Sequence, residues 1–392
     1  MPALPFFLAA VPVLIPSGYL GLLAVQARPL SQASPQNPET RFDVIVPAHD
    51  EESGIEATVE SLKNLDYPSE LFRILVIADN CGDATAHRAE RAGARVLVRS
   101  DPHRRGKGYA LEFAFQVSHD EAFADAVVVV DADTTVSANL LRTMDAAIRR
   151  GAQAVQAEYG VSNPHASWRT RLMSIALATH HRLRNLARER MGLSIGLHGN
   201  GMAFTHRVLA EVPHEAFSIV EDLEYGIRLG YAGHRVHYAA EGAVFGEMVT
   251  SEQGSRSQRA RWEGGRSQML KQHVRRLLYE GCVKREKVLL DLGMDLLVPP
   301  LAYVVAAAGI GLALSSAAAL ASPVGWSVTV PWALASSCIG IYVVRGVLLS
   351  PRGASAFADL AWAPIYVGWK FALKLQNATA KPTEWVRTQR NP

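Results

Sequence analysis

The sequence predicts an α/β domain on an open, mostly parallel mixed sheet, flanked by transmembrane and interfacial helices. Three observations predict it. From Arg41 onward, strand-like, polar and helix-like stretches alternate. The polar clusters Pro47–Glu51, Asp79–Asp83 and Asp131–Asp133 each fall where an apolar strand ends, which is where such sheets present ligands. Long uncharged apolar stretches lie near both ends of the chain.

The first element is the stretch Met1 to Ala27, which carries no charged side chain. About 20 apolar residues cross a bilayer, so residues 1–27 are read as a transmembrane helix. A cleaved signal peptide is the rival, but no basic region precedes the apolar run. Arg28 and Arg41 follow it, which places the next domain in the cytoplasm by the positive-inside tendency. Residues 28–40, rich in Pro, Ser and Gln, read as a linker.

The catalytic unit is expected over 41–285. Val44–Val46 reads as a strand, Ile55–Leu65 as a helix, Arg73–Ala78 as a strand, Ala84–Ala92 as a helix and Arg95–Val98 as a strand. Gly108–Phe115 opens a further helix, and Val127–Val130 is an apolar strand suited to the middle of a sheet. The region 286–376 reads as membrane-associated. Residues 286–298 suggest an interfacial helix with Asp291 and Asp295 on its polar face. Residues 301–320 and 328–344 read as spans, with Arg345 and Arg352 returning the chain to the cytoplasm. The stretch 356–375 holds Asp359, Pro364 and Lys370. It is read as interfacial or re-entrant, because a full span would put the basic tail 377–392 outside.

With 40 basic and 37 acidic residues, the net charge is +3. The charges are interspersed, so no nucleic-acid partner is expected. The three cysteines, Cys81, Cys282 and Cys338, lack the spacing of a disulfide framework or zinc site. The thirteen histidines likewise show no metal-ligand spacing, and His180, His181, His234 and His237 read as surface residues.

Five motifs carry chemistry. Asp131 and Asp133, one residue apart at a strand end, can turn toward one hard cation such as Mg²⁺ or Mn²⁺ that also holds phosphate. Their structural alternative is an acidic turn that caps a helix. Glu221-Asp222 opens a helical run, where either acid could be a cap. Functionally, Asp222 is read as a general base for an acceptor hydroxyl, with Glu221 in support. Gln258, Arg261 and Trp262 lie in a basic stretch that could face lipid. Arg also suits phosphate, and Trp gives a flat wall for a sugar. Lys107, between Gly106 and Gly108, reads as a phosphate contact or a solvated loop. Gly199-Asn200-Gly201 reads as a tight turn against which a sugar could lie.

Together these motifs resemble glycosyltransferase family 2 over about Arg41 to Gln272. The likeness is to its membrane-embedded branch, which includes cellulose, hyaluronan and poly-N-acetylglucosamine synthases and ceramide glucosyltransferase. It rests on Val46-Pro47-Ala48-His49-Asp50-Glu51, Asp79, Asp131-Ala132-Asp133, Glu221-Asp222 and Gln258 to Trp262. The tail Glu384-Trp385-Val386-Arg387-Thr388 is a weaker match to some members. The resemblance implies a GT-A, Rossmann-like fold and a nucleotide-sugar donor, UDP-glucose or UDP-N-acetylglucosamine first. Pro47, Ala48, Glu51 and Asp79 would meet the nucleoside, and Asp131 and Asp133 the diphosphate and metal. Asp222 would drive one inverting displacement to a β-linkage. Gln258, Arg261 and Trp262 would hold the diphosphate and the acceptor end. Asp50 stands where Asn is usual, and Asn80-Cys81-Gly82-Asp83 replaces a common Asp-Gly-Ser stretch. Both departures bear on the nucleoside contacts. No PilZ-like extension follows the last apolar segment, so a cyclic-di-GMP switch inside the chain is not expected.

The expectation is an enzyme integral to a bacterial inner membrane with a cytoplasmic catalytic domain. The acceptor is a glycan or a lipid: the tail favours polysaccharide synthesis, with glycolipid synthesis the alternative. Few spans are visible for a self-contained channel, so an export partner or a second copy could supply more. A nucleotide-sugar sensor without catalysis and a metal-dependent nucleotidyltransferase are the competing classes. The intact Asp222 argues against the first, and Gln258 to Trp262 beside a membrane against the second.

Overall fold

The computed structural model describes residues 3–30, 37–248, 252–321 and 325–368, with the side chains of 252–260 left aside. Its sheet has eight strands: β1 Phe42–Ala48, β2 Phe72–Asp79, β3 Arg95–Arg99, β4 Ala126–Val129, β5 Thr134–Val136, β6 Ala154–Val161, β7 Met202–Thr205 and β8 Val236–Gly246. They lie in the order β3-β2-β1-β4-β7-β6-β8-β5. Strands β1 to β4 are mutually parallel, β7 runs against both β4 and β6, and β6 is parallel to β8. The sheet is therefore mixed, with the parallel half that the strand–helix alternation requires.

The helices are α1 Leu4–Gln26, α2 Ile55–Lys63, α3 Thr85–Arg91, α4 Lys107–Glu121, α5 Leu140–Arg149, α6 Trp168–Leu177, α7 Arg184–Met191, α8 His206–Glu211, α9 Glu221–Tyr231, α10 Glu252–Lys284, α11 Lys287–Leu297, α12 Leu301–Ala321 and α13 Val330–Leu349. A π-helical turn, Ala178–Leu183, joins α6 to α7. Strand β4 is buried along its length, because apolar layers cover both faces of the sheet. Each buried Val there contributes roughly 1.5–3 kcal/mol relative to exposure.

Among the described residues, three stretches are long and apolar enough to cross a membrane: Leu4–Gln26, Leu301–Ala321 and Trp326–Leu349. Helix α1 packs on α13, α12 and α7, so the apolar bundle is fastened to the α/β domain. Gly21 is part of that fastening: a Cβ there would lie 3.0 Å from Cys338 Cβ on α13.

One membrane-region expectation needs correction. Asp291 and Asp295 do not form an outward polar face of α11. They turn inward and pair with Arg188 (3.0 and 2.6 Å), and Asp295 also with Arg184 (2.8 Å). The described part of 356–375 begins as a 3₁₀ helix, Gly353–Trp362, whose Asp359 pairs with Arg171 of α6 at 2.9 Å. Its start is thus docked on the α/β domain. Residues from 369 on, including the tail motif, lie outside the described residues.

Candidate active site

The site forms where β1, β2 and β4 end. After β1 the chain passes Asp50 in a left-handed conformation (φ 54°), and after β2 it passes Asn80 likewise (φ 51°). The two loops are laced together: Gly82 N donates to Asp50 Oδ1 at 2.7 Å, Glu51 N to Thr85 Oγ1 at 2.8 Å and Glu52 N to Asp83 Oδ2 at 3.2 Å. Asp50, Cys81 and Asp83 lie close enough to share an ion, but Asp50 and Asp83 are already spent on this lacing. The soft sulfur also suits no hard cation.

Pro47 and Ala48 end β1 and Asp79 ends β2, side by side in parallel register. Asp79 is buried, and its Oδ1 is held by Arg99 Nη1 at 2.5 Å and by Asn80 Nδ2 at 3.0 Å. An acid expected to meet a nucleoside is thus partly occupied within the protein. The sequence reading missed Arg99. Its signal is topological: it ends β3, the strand beside β2.

Asp131 follows β4, and Asp133 precedes β5. Asn200 fixes both ends of this turn: Asp131 N donates to its Oδ1 at 3.1 Å, and its Nδ2 donates to Thr134 Oγ1 at 2.8 Å. Asn200 is fully buried. The Asn200 amide is thus spent on shaping the Asp-x-Asp turn, while Gly199 beside it stands next to Asp222 and Lys107. Gly201 (φ +69°) is a packing glycine, since a Cβ there would lie 2.9 Å from Val244. Gln156, also missed, continues the network: it accepts from His198 N at 2.9 Å and donates to Asn200 O at 2.7 Å.

Lys107 begins α4 and reaches the centre, not solvent. Its Nζ donates to Asp131 Oδ1 and to Gly199 O, and stands 3.9 Å from Glu221 Oε1. Burial would discharge it, but Asp131 and Glu221 outweigh burial and hold its pKa up. The start of α4 adds positive partial charge at the same spot. Gly108 permits the approach, because a Cβ there would fall 2.2 Å from Ala216 O.

Glu221 and Asp222 open α9. Asp222 Oδ1 accepts from Leu223 N at 2.8 Å. A Cβ at Gly199 (φ +74°) would lie 3.3 Å from Asp222 Oδ2 and 3.6 Å from Lys107 Nζ, so these groups converge on one backbone position. Burial raises the pKa of both acids, that of Glu221 to about 8. For Glu221 the neighbouring Asp222 adds to the rise, and Lys107 opposes it in both. Arg261 of α10 feels the charge of Glu221, and burial lowers its own pKa. Gly265, one turn on, lets α10 press against Val220, where a Cβ would meet Cγ1 at 2.5 Å. Trp262 is exposed at 41%. The side chain of Gln258 lies outside the described residues.

The structure therefore brings together Lys107, Asp131, Gly199, Glu221 and Asp222, with Arg261 alongside. Pro47, Ala48, Glu51 and Asp79 sit on the neighbouring strand ends. The centre is acid-rich, partly shielded, and open to a ligand that brings compensating cations or hydroxyls.

A family model described as "Glycosyltransferase like family 2" matches residues 38–265. Among curated proteins, the probable glycosyltransferase YdaM of Bacillus subtilis is 23% identical over 64% of this chain and 60% of its own length. A beta-monoglucosyldiacylglycerol synthase of Trichormus variabilis is 28% identical over 57% of this chain and 48% of its own length. The chain thus spans about half to three-fifths of these relatives. Among solved structures, a mannosyltransferase of Pyrobaculum calidifontis, captured with GDP-Man and Mn²⁺, shares the fold with a TM-score of 0.51 at 17% identity, covering 88% of this chain and 96% of that one. The strand order, the acid-rich strand ends and the matched span agree: the chain belongs to glycosyltransferase family 2, with a GT-A-like fold and three helices apolar enough to span a membrane.

Proposed function

We propose that this protein is an inverting, metal-dependent glycosyltransferase. It transfers a hexose from a nucleotide-sugar, UDP-glucose first and UDP-N-acetylglucosamine second, to a hydroxyl of a membrane lipid. The observation that carries the reading is the convergence of Asp222, Lys107 and Asp131 on the Gly199 backbone. A carboxylate and a cation stand beside one backbone position, where an acceptor hydroxyl and a diphosphate could each meet its partner.

Asp222 takes the proton of the acceptor hydroxyl. That oxygen attacks the anomeric carbon from the face opposite the diphosphate, and the carbon–oxygen bond to the diphosphate breaks with inversion. A base works best when its pKa lies near the operating pH, and burial moves Asp222 in that direction. Lys107 and Arg261 meet the negative charge that grows on the leaving diphosphate. Asp131 and Asp133 offer the hard oxygen donors that Mg²⁺ or Mn²⁺ takes together with substrate phosphates. The bound ion would neutralise leaving-group charge. Pro47, Ala48, Glu51 and Asp79 border the nucleoside, and Gln258 and Trp262 the acceptor side. The α/β domain then works at the cytoplasmic face, where nucleotide-sugars are made.

The lipid acceptor is favoured over a growing polysaccharide. The relatives named as beta-monoglucosyldiacylglycerol synthases support it, and three candidate spans suit delivery of a lipid better than a channel for a polymer. The polymer reading leans on residues 384–388, outside the described residues. The test is product analysis after incubation of the detergent-purified chain with UDP-sugars, Mn²⁺ and membrane lipid extract. A lipid carrying one or few sugars supports the proposal, and a long glycan overturns it.

A further inference from the structure

Helix α6 does not run directly into α7. Residues Ala178–Leu183 form a π-helical turn between them. Such turns insert a residue into a helix at a cost and recur at functional sites. This one carries His180, His181 and Arg182.

The His181 ring lies flat on that of His198, with centroids 3.7 Å apart and planes 15° apart. Its other neighbours are Tyr159 (5.9 Å, 19°) and His180 (5.3 Å). His198 immediately precedes Gly199, the backbone position on which Asp222 and Lys107 converge. Asn185 Nδ2 donates to Nε2 of His198 at 3.0 Å, which leaves the proton of that ring on Nδ1. The buried Nδ1 of His181 has no hydrogen-bond partner among the described residues, so no protein group there fixes its tautomer.

The opposite side of the turn meets the membrane bundle. Tyr342 of α13 donates to Thr179 O at 2.8 Å. At Gly346 of α13 a Cβ would fall 2.1 Å from Thr179 Oγ1. The imidazoles therefore stand between an apolar, membrane-length helix and the carboxylate assigned as base.

Charge narrows the ligand class. The nearby cations are committed: Arg184 and Arg266 to Asp295 (2.8 and 3.4 Å), and Arg182 to Glu158 (3.9 Å). Burial and the charge of Arg184 push His181 down to about 3, and burial with the neighbouring His181 and Arg188 holds His198 well below the usual imidazole range. Neutral imidazoles both donate and accept, which suits hydroxyls. They offer no cation for a phosphate.

We infer that the π-helical turn, with its stack His181–His198 and the adjacent His180, is the subsite that recognises the uncharged hydroxyl headgroup of the lipid acceptor. This rests on the glycosyltransferase reading above. His181 acts there as a specificity-determining hydrogen-bonding group, and His198 positions it.

The test uses the full-length chain in mixed micelles. A diacylglycerol with a diazirine beside its free hydroxyl is photolysed, and the labelled peptides are mapped. Labelling should fall on 168–200, be competed by dioleoylglycerol, and resist phosphatidic acid. It should drop at least tenfold in His181→Phe, which keeps a ring to stack, and recover to within threefold of wild type in His181→Gln, which keeps the hydrogen bond. Bound UDP should be unaffected in both. Labelling elsewhere, equal competition by phosphatidic acid, or full labelling of His181→Phe overturns the inference. Should His181→Phe fail to fold, His180→Ala on the exposed side of the turn is read the same way. Because no turnover is needed, the result stands apart from the test of Asp222 as base.

Discussion

Two acid clusters among the described residues are built oppositely. At the active centre, Glu221, Asp222 and Asp131 face Lys107 and, further off, Arg261. At the junction with the membrane helices, Asp291 and Asp295 face Arg184, Arg188 and Arg266. The first cluster has more carboxylates than cations, and burial keeps Glu221 and Asp222 ready to hold a proton. The second has more arginines than acids. There burial pushes Asp295 up, but Arg188, Arg266 and Arg184 win and hold it well below the carboxylate range. Tyr19 of α1 joins the same cluster, donating to Asp291 at 2.8 Å and accepting from Arg188 at 2.7 Å. The acid-rich cluster is the one proposed to complete itself on substrate. The arginine-rich one is charge-compensated within the protein and joins α1, α7, α10 and α11.

Substitutions should separate the two. The largest effect is expected for Asp222→Asn, which removes the base and should lower transfer about 10²–10⁴-fold. Its thermal unfolding in detergent should be unchanged or higher, because one charge leaves an acid-rich site. Asp295→Asn should do the reverse. Three arginines would then share Asp291 alone, and breaking a buried pair costs about 3–5 kcal/mol, visible as a large fall in melting temperature. Equal melting of the two variants would break the comparison.

Lys107→Met sharpens it through pH. Lys107 lowers the pKa of both acids, so its loss makes Asp222 harder to ionise. The acid limb of the rate profile should move to higher pH, and a limb that stays in place or moves down would contradict the assignment. The smallest effect belongs to Tyr19→Phe, which removes one hydroxyl from the complete cluster and should cost about 1–3 kcal/mol with transfer kept. Chemical denaturation and a transfer assay on one sample would check both.

The active cluster was legible in the sequence because its acids follow recognisable strand ends or open a helix. Val127–Val130 announces Asp131, and the run after Glu221-Asp222 announces α9. The central strands were legible for the same reason, since continuous apolar runs mark them. The partners were not. Arg99 reaches Asp79 only once β3 lies beside β2, and Asn200 reaches Asp131 and Thr134 only once β7 runs against β4. The junction misled the sequence reading for a related reason. The spacing of Asp291 and Asp295 shows that they share a helix face, but not that Arg184 and Arg188 of a distant helix cover that face. His181 of the π-helical turn was read as a surface residue but stacks on His198, because no periodicity announces an inserted helical residue, whereas His180 is exposed as expected.

The central claim is that Asp222 is the base in an acid-rich centre that binds donor independently of it. The direct measurement is single-turnover transfer from labelled UDP-sugar to lipid in wild type and Asp222→Asn, with UDP binding measured calorimetrically on the same samples. The account predicts UDP affinity within about threefold and transfer reduced at least a hundredfold. Transfer retained within tenfold in Asp222→Asn, with donor binding intact, would contradict it.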